Sequence, residues 1–274
     1  MKRVLTALVL IPLVLLLVFR GPFWLVTLVA AVVAELATWE YLDLADKSGA
    51  KTPRIAVLIG IGMLFLCAFF RPEYMAPLLA CLTFLILILC SFRSPLQRVL
   101  PDTAYSVFAL VYLGLSLTTL PLLSAQENGA SLLLLLFATV WTGDIAALYV
   151  GRSVGRHKLA PTISPKKTWE GSLGSIAGSI LITLLLLRLA DALAAHGVYI
   201  LSYPGTLLRW LLLAVVLNVA AQLGDLVESA IKRGAGVKDS GSLLPGHGGM
   251  LDRIDALLLA APLLWYAQLA QQAF

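Results

Sequence analysis

The stretch Tyr74-Met-Ala-Pro-Leu-Leu-Ala-Cys81-Leu-Thr-Phe-Leu-Ile-Leu-Ile-Leu-Cys90-Ser91 decides the fold class. It contains no charge from end to end, and a helix needs about 20 apolar residues to cross a bilayer. Arg71, Pro72 and Glu73 precede it and Arg93 follows. Similar apolar runs lie at 4–19, 22–44, 53–70, 103–123, 131–151, 171–190, 206–232 and 249–271. The chain therefore reads as an all-α, polytopic transmembrane protein with about nine spanning helices. Lipid admits helices or closed barrels, and these runs do not alternate, so strands are not expected. The composition agrees. Of 274 residues 60% are hydrophobic and 13% charged, with mean hydropathy +0.93. A soluble domain is about half apolar and a quarter charged.

The first run follows Met1-Lys2-Arg3 like a secretory signal, but Arg20-Gly21-Pro22 stands where a small-residue cleavage site would be needed. An uncleaved first helix, turned tightly into the second, is expected. Cys67, Cys81 and Cys90 lie inside apolar runs without a CxxC pair and read as core or lipid-facing residues.

The net charge of +5 points to membrane orientation rather than to nucleic acid, because the basic residues sit in short loops between apolar runs. With a cytoplasmic N-terminus, 16 of the 20 Lys and Arg residues fall on or near the cytoplasmic side, leaving Arg20, Arg71, Arg188 and Arg209 opposite. Two cytoplasmic loops, 152–170 and 232–248, are long and polar. Function is therefore expected in a C-terminal catalytic region, 131–274, behind an N-terminal group of membrane helices, 1–130.

Acidic residues inside spanning helices are costly and mark function. Asp144, Asp225 and Asp255 each lie six or seven residues from the cytoplasmic end of a run, about 10 Å below the interface at 1.5 Å per residue. Asp225 and Glu228, like Asp252 and Asp255, are i,i+3 neighbours on one helix face. Oxygen-only ligands suit a hard ion such as Mg²⁺, so Asp144, Asp225, Asp252 and Asp255 are the candidate ligands. Glu35 and Glu40 read instead as carboxylates that snorkel to the interface or pair with arginine.

The first loop contains Ser164-Pro165-Lys166-Lys167-Thr168-Trp169-Glu170-Gly171. Ser164 at N-cap and Pro165 at N1 predict a helix start with both lysines in its first turn, a cradle for phosphate. No GxxxxGK[ST] is present, so this is not a P-loop, and His157 reads as a solvated loop histidine. The second loop runs from Ser229 through Lys232, Arg233, Lys238, Asp239, Ser240 and His247 to Asp252, Arg253 and Asp255. Glycines at 246, 248 and 249 let backbone amides approach a ligand. Cations beside carboxylates in a Gly-rich turn fit a Mg-nucleotide site.

Residues 229–255 resemble the signature of phosphatidate cytidylyltransferases, S-x-[apolar]-K-R-x4-K-D-x-[small]-x2-[apolar]-P-x-H-G-G-[apolar]-x-D-R-[apolar]-D, at every fixed position. Gly143-Asp144, residues 164–171 and residues 224–228 also look like family segments, so the resemblance covers roughly 140–260. It implies attack of a phosphatidic acid oxygen on the α-phosphorus of CTP, giving CDP-diacylglycerol and pyrophosphate. It implies a Mg²⁺ cofactor and admits K⁺ beside it. It implies a bacterial inner membrane location with the active site facing the cytoplasm, the lipid bilayer as partner, and no nucleic acid; a homodimer is compatible with it. On this reading Lys232, Arg233, Lys238, His247 and Arg253 are the catalytic cations, while Ser164, Lys166, Lys167 and Ser229 meet substrate phosphate. A cation-coupled transporter would also bury carboxylates, but would not need two basic, Gly- and Pro-punctuated loops on one face. The DxxDGxxARx8GxxxDxxxD pattern of CDP-alcohol phosphatidyltransferases is absent.

The charge bias yields a test of topology. In intact cells a cysteine at Ser240 is expected to be shielded from an impermeant thiol reagent and one at Gly129 to react. Labelling of Ser240 from outside would overturn the helix count.

Overall fold

The computed structural model describes residues 2–241 and 248–272. Its elements are, in order, α1 (Lys2–Arg20), α2 (Phe23–Lys47), α3 (Arg54–Phe70), α4 (Met75–Arg93), α5 (Val99–Ala109), a π-helical segment (Leu110–Leu115), α6 (Ser116–Ser124), α7 (Gly129–Ser153), β1 (Lys158–Ala160), β2 (Ser164–Thr168), α8 (Trp169–Ala195), α9 (Leu207–Gly234), α10 (Leu251–Ile254) and α11 (Leu257–Gln272). Among the described residues six helical stretches are long and apolar enough to cross a membrane: Phe23–Lys47, Pro72–Arg93, Leu96–Ser124, Gly129–Ser153, Trp169–Ala195 and Leu207–Gly234. Shorter apolar helices, Leu10–Arg20, Arg54–Phe70 and Leu257–Gln271, fall on the other three expected runs. The fold is an all-α, multi-pass membrane architecture.

Local sequence explains the turns. Between α1 and α2, a Cβ on Gly21 would press into the Leu17 backbone and side chain. Pro22, extended at φ −65° and ψ 155°, then starts α2 with its carbonyl accepting from Leu25 and Val26. Helix α2 ends in a Schellman motif: Gly49 takes φ +86°, and the amides of Ala50 and Gly49 turn back to the carbonyls of Ala45 and Asp46.

The strand expectation needs correction. Outside the long helices, β1 and β2 form an antiparallel pair, Lys158 opposite Thr168 and Ala160 opposite Ser164. The predicted helix start at Ser164-Pro165 is displaced as well. Pro165 biases Ser164 toward extended backbone, and the chain stays extended to Thr168 at φ −128° and ψ 154°. The Thr168 hydroxyl accepts from Gly171 N at 3.1 Å and caps α8, so Lys166 and Lys167 lie in the strand before the helix.

Packing divides the chain into two compact units, Met1–Leu122 with Ala230–Ile254, and Leu123–Ser229 with Asp255–Phe274. The division falls inside α9, so the described residues of 230–254, expected with the C-terminal region, pack with the N-terminal helices. In the first unit α2 lies against α3, α5 and α10. Its buried residues are mostly small, Ala30, Ala34, Ala37 and Ala45 among them, which lets neighbouring backbones come close. The π segment belongs to this unit, and Gly114 within it lies where a Cβ would be 2.8 Å from the methyls of both Ile61 and Leu64. In the second unit α7 and α8 form the most extensive helix pair.

The structure refines the topological test. Ser240 is 3% exposed, so a cysteine there would be shielded on either side of the membrane. A Cβ on Gly129 would strike the carbonyls of Leu123 and Ser124. Asp239 and Ala125 are exposed and report the same two loops. With the native cysteines replaced, Asp239→Cys is expected to stay unlabelled in intact cells and Ala125→Cys to react; the opposite pattern would invert the assigned orientation.

Candidate active site

In the second unit the site begins with a polar seam. Asn218 of α9 is 1% exposed, and its Nδ2 donates to Ser175 Oγ at 2.9 Å and Ser179 Oγ at 2.7 Å on α8. Ser179 Oγ donates onward to the Thr139 carbonyl of α7 at 2.8 Å. Gln222 Nε2, one turn along α9, donates to Asn218 Oδ1 at 2.6 Å and to the Ser172 carbonyl at 3.3 Å. Each of these partners would be an expensive orphan in lipid. A Cβ on Gly143 would collide with Asn218, Ser175 and Ser179, so that glycine lets α7 join the seam.

The seam delivers two carboxylates to one place. Asp144 follows Gly143, and Asp225 follows Gln222 by three residues, one step along the same helix face. Their charges lie close enough to act on each other and on Lys167. Lys167 Nζ is 2.6 Å from Asp225 Oδ2, and Ser229 Oγ is 3.3 Å from Asp225 Oδ1. Asp255 belongs to the same unit. A Cβ on Gly224 would come 2.5 Å from the Asp255 carbonyl oxygen and 3.3 Å from Ala256 Cα, so only glycine lets these backbones touch beside Asp225. Asp255 Oδ1 accepts from Ala256 N at 2.8 Å.

Lys167 is aimed by its surroundings. Thr168 sits against Gly151, Gly155 and Gly171, where added Cβ atoms would fall 2.8–3.2 Å from its hydroxyl. Glu170 accepts from Arg156 N at 3.1 Å, His157 N at 3.2 Å and pairs with His157 Nδ1 at 2.6 Å, tying the loop to α8. His157 is thus a brace for this loop. Lys166, its neighbour on the strand, is exposed, and Ser164 is half-buried. The two lysines do not act as a pair: Lys167 reaches a carboxylate and Lys166 stays open to solvent.

In the first unit the signature residues form a second network. Lys232 Nζ donates to Asp252 Oδ1. Asp252 Oδ2 accepts from Ser240 N at 3.0 Å, Ser240 Oγ at 2.9 Å and Gly249 N at 2.8 Å. The last is the reciprocal half of a capping box at the start of α10. Helix α11 begins at Leu257, beyond Asp252. Burial opposes the charge on Asp252, yet the bonds from Lys232, Gly249 and Ser240 and the Lys232 charge outweigh it and hold its carboxyl below the ordinary aspartate value. Every one of these partners lies in the first unit, whereas Asp144, Asp225 and Asp255 belong to the second.

The sequence reading misassigned a second acid here. Glu40 of α2 is 6% exposed and neither snorkels nor pairs with arginine. It accepts from Ser240 Oγ, Met250 N and Leu251 N, each at 2.9 Å. Its partners are 200 or more residues away in sequence, beyond the reach of any local pattern. Arg233, Lys238 and Arg253 are exposed at the surface, and Arg233 Nη1 donates to the Val237 carbonyl at 2.8 Å. His247 lies outside the described residues. Among the described residues no three Asp, Glu, His or Cys side chains are grouped as a metal cage. Mg²⁺, however, is commonly held by one or two carboxylates completed by substrate phosphates, and Asp144 with Asp225 fit that donor set.

A family model described as "Cytidylyltransferase family" matches residues 1–270. Over 157 residues the chain is 45% identical to the "Phosphatidate cytidylyltransferase" of Brucella suis biovar 1, covering 57% of this chain and 54% of that protein. Over 165 residues it is 39% identical to the protein of the same name from Staphylococcus saprophyticus, covering 60% and 58%. The chain thus spans little more than half the length of the curated relatives it matches.

The seam carries a stability prediction. Gly143→Ala forces Asn218, Ser175 and Ser179 apart and is expected to cost about 1–3 kcal/mol. Gly234→Ala, with nothing within 4 Å of its added Cβ, is expected to be neutral or stabilising by up to about 1 kcal/mol. Thermal unfolding in detergent checks both, and equal midpoints would refute the close approach.

Proposed function

This chain belongs to the cytidylyltransferase family, and on that footing we propose that it transfers the cytidylyl group of CTP to phosphatidic acid, at the cytoplasmic face of a bacterial inner membrane. A phosphatidate oxygen attacks the α-phosphorus of CTP. A new P–O bond forms, the bond to the bridging oxygen breaks, and pyrophosphate leaves with the electron pair. The products are CDP-diacylglycerol and pyrophosphate. The nucleophile is already an anion, so positioning and charge neutralisation carry the rate rather than a strong base.

The observation that carries this reading is the ion pair of Lys167 with Asp225, with Asp144 near enough for its charge to act on both, in a chain that matches the family over nearly its whole length. Asp144 and Asp225 would hold Mg²⁺, with Asp255 beside them. Such an ion would supply charge neutralisation at the transferring phosphate. Lys167 stands where it can release Asp225 and turn to a phosphate oxygen, and Ser229 steadies Asp225 during that exchange. Lys166, exposed beside Lys167 on the same strand, supplies a further cation for substrate phosphate. Lys232 and Asp252 act through each other to shape the signature segment.

The purified protein, given phosphatidic acid and CTP labelled at the α-phosphate, is expected to convert label into a lipid-extractable CDP-diacylglycerol. Chelator should abolish the conversion and Mg²⁺ restore it; absence of labelled lipid under these conditions would refute the reading.

Individual residues give a finer test. Asp144→Asn and Asp225→Asn are expected to lower activity by orders of magnitude, with part of the loss recovered at raised Mg²⁺. Lys167→Ala should lower kcat/KM by about ten- to a hundredfold, the scale of one charged hydrogen bond, and Lys166→Ala by less. Equal losses for the two lysines would contradict their separate directions.

A further inference from the structure

We infer that Glu40, from the N-terminal helix α2, is a positioning residue for the signature segment; the inference rests on the proposed cytidylyl transfer. Its carboxylate receives three hydrogen bonds at 2.9 Å: Met250 N on Oε1, and Leu251 N and Ser240 Oγ on Oε2. These donors come from both sides of the stretch 241–249, so one side chain holds the chain before it and the chain after it. The backbone is shaped to this carboxylate. A Cβ on Gly241 or on Gly249 would lie within 3 Å of Glu40 side-chain atoms, so glycine at both positions lets the backbone come up against the carboxylate.

What Glu40 holds is the machinery. Ser240 donates its amide to Asp252, Gly249 does the same, and Asp252 in turn receives Lys232. The Ser240 hydroxyl lies 2.9 Å from both Glu40 Oε2 and Asp252 Oδ2 and couples the two carboxylates through one proton. Shifting Met250 and Leu251 moves Asp252 and Arg253, the residues that follow directly on α10. Three converging donors also explain the residue type. Glutamate accepts from all of them, glutamine would set an NH₂ group against one of them, and aspartate is one methylene too short.

The test uses the full chain in detergent, with Glu40→Ala, Glu40→Gln and wild type compared in two readouts. In hydrogen exchange, the amides of Met250 and Leu251 should lose protection in Glu40→Ala while peptides of α7 and α8 keep theirs. In steady-state assays kcat should fall about a hundredfold in Glu40→Ala with KM for CTP little changed, the signature of misplaced rather than missing contacts. Glu40→Gln, which keeps one acceptor oxygen, should recover part of both, and it carries the test if the alanine variant fails to fold. Unaltered exchange at Met250 and Leu251 would overturn the tie, and altered exchange with wild-type kcat would overturn the positioning role. A wild-type protein without cytidylyl transfer would remove the functional reading itself; Glu40 would then stand or fall as an anchor on exchange alone.

Discussion

A carboxylate taken out of water must find donors or counter-charge, because the alternative costs several kcal/mol per ion even after relaxation. Each unit of this protein is organised around that constraint. Asp102, fully buried at the start of α5, accepts from Ser94 Oγ at 2.6 Å and Lys51 N at 3.0 Å and pairs with Arg98 at 3.2 Å. Glu40 collects two amides and a hydroxyl, and Asp252 collects a lysine, two amides and the same hydroxyl. Asp225 takes Lys167. The differences among these acids carry the functional argument. Asp102, Glu40 and Asp252 are held largely by donors of the backbone and of neighbouring turns, whereas the partner of Asp225 is a lysine near the end of a strand.

The second device is the small residue. Lipid supplies no hydrophobic drive between helices, so close packing and interhelical hydrogen bonds must do the work. Gly143, Ser175, Ser179 and Asn218 combine both in one seam, and Gly224 repeats the idea as a backbone contact beside Asp225. The surroundings of Asp144 and Asp225 are therefore shaped by neutral residues, with Gly143 and Gly224 directly beside them.

The helices were legible because a run of apolar residues without charge has few other destinations. The placement of Asp144 and Asp225 within long helices, α7 and α9, was legible for the same reason, whereas Asp255 falls in the break between α10 and α11. Rotation about the axis was not legible: counting along a helix could not show that Asp252 turns to Lys232 twenty residues earlier in the chain. Ser164-Pro165 misled because an N-cap residue and a strand residue share extended backbone angles, and the decision fell to Thr168, whose hydroxyl reaches Gly171 N. Glu40 was hidden by distance along the chain. The resemblance was read over roughly 140–260, while the family match runs from residue 1 to 270, and Glu40 supplies a physical reason for the N-terminal half to belong to it.

The π-helical segment Leu110–Leu115 joins α5 to α6 without interrupting the span. Such a turn is a single-residue insertion absorbed by widening the coil. Everything beyond it is rotated by about 100° relative to an unbroken α-helix. Leu117, Thr118 and Leu123, all buried, follow it in the chain. The span thus keeps an arithmetic record. Shortening it here by one position would spare its hydropathy while turning every side chain beyond it by about 100° about the axis, a change that composition alone would never register.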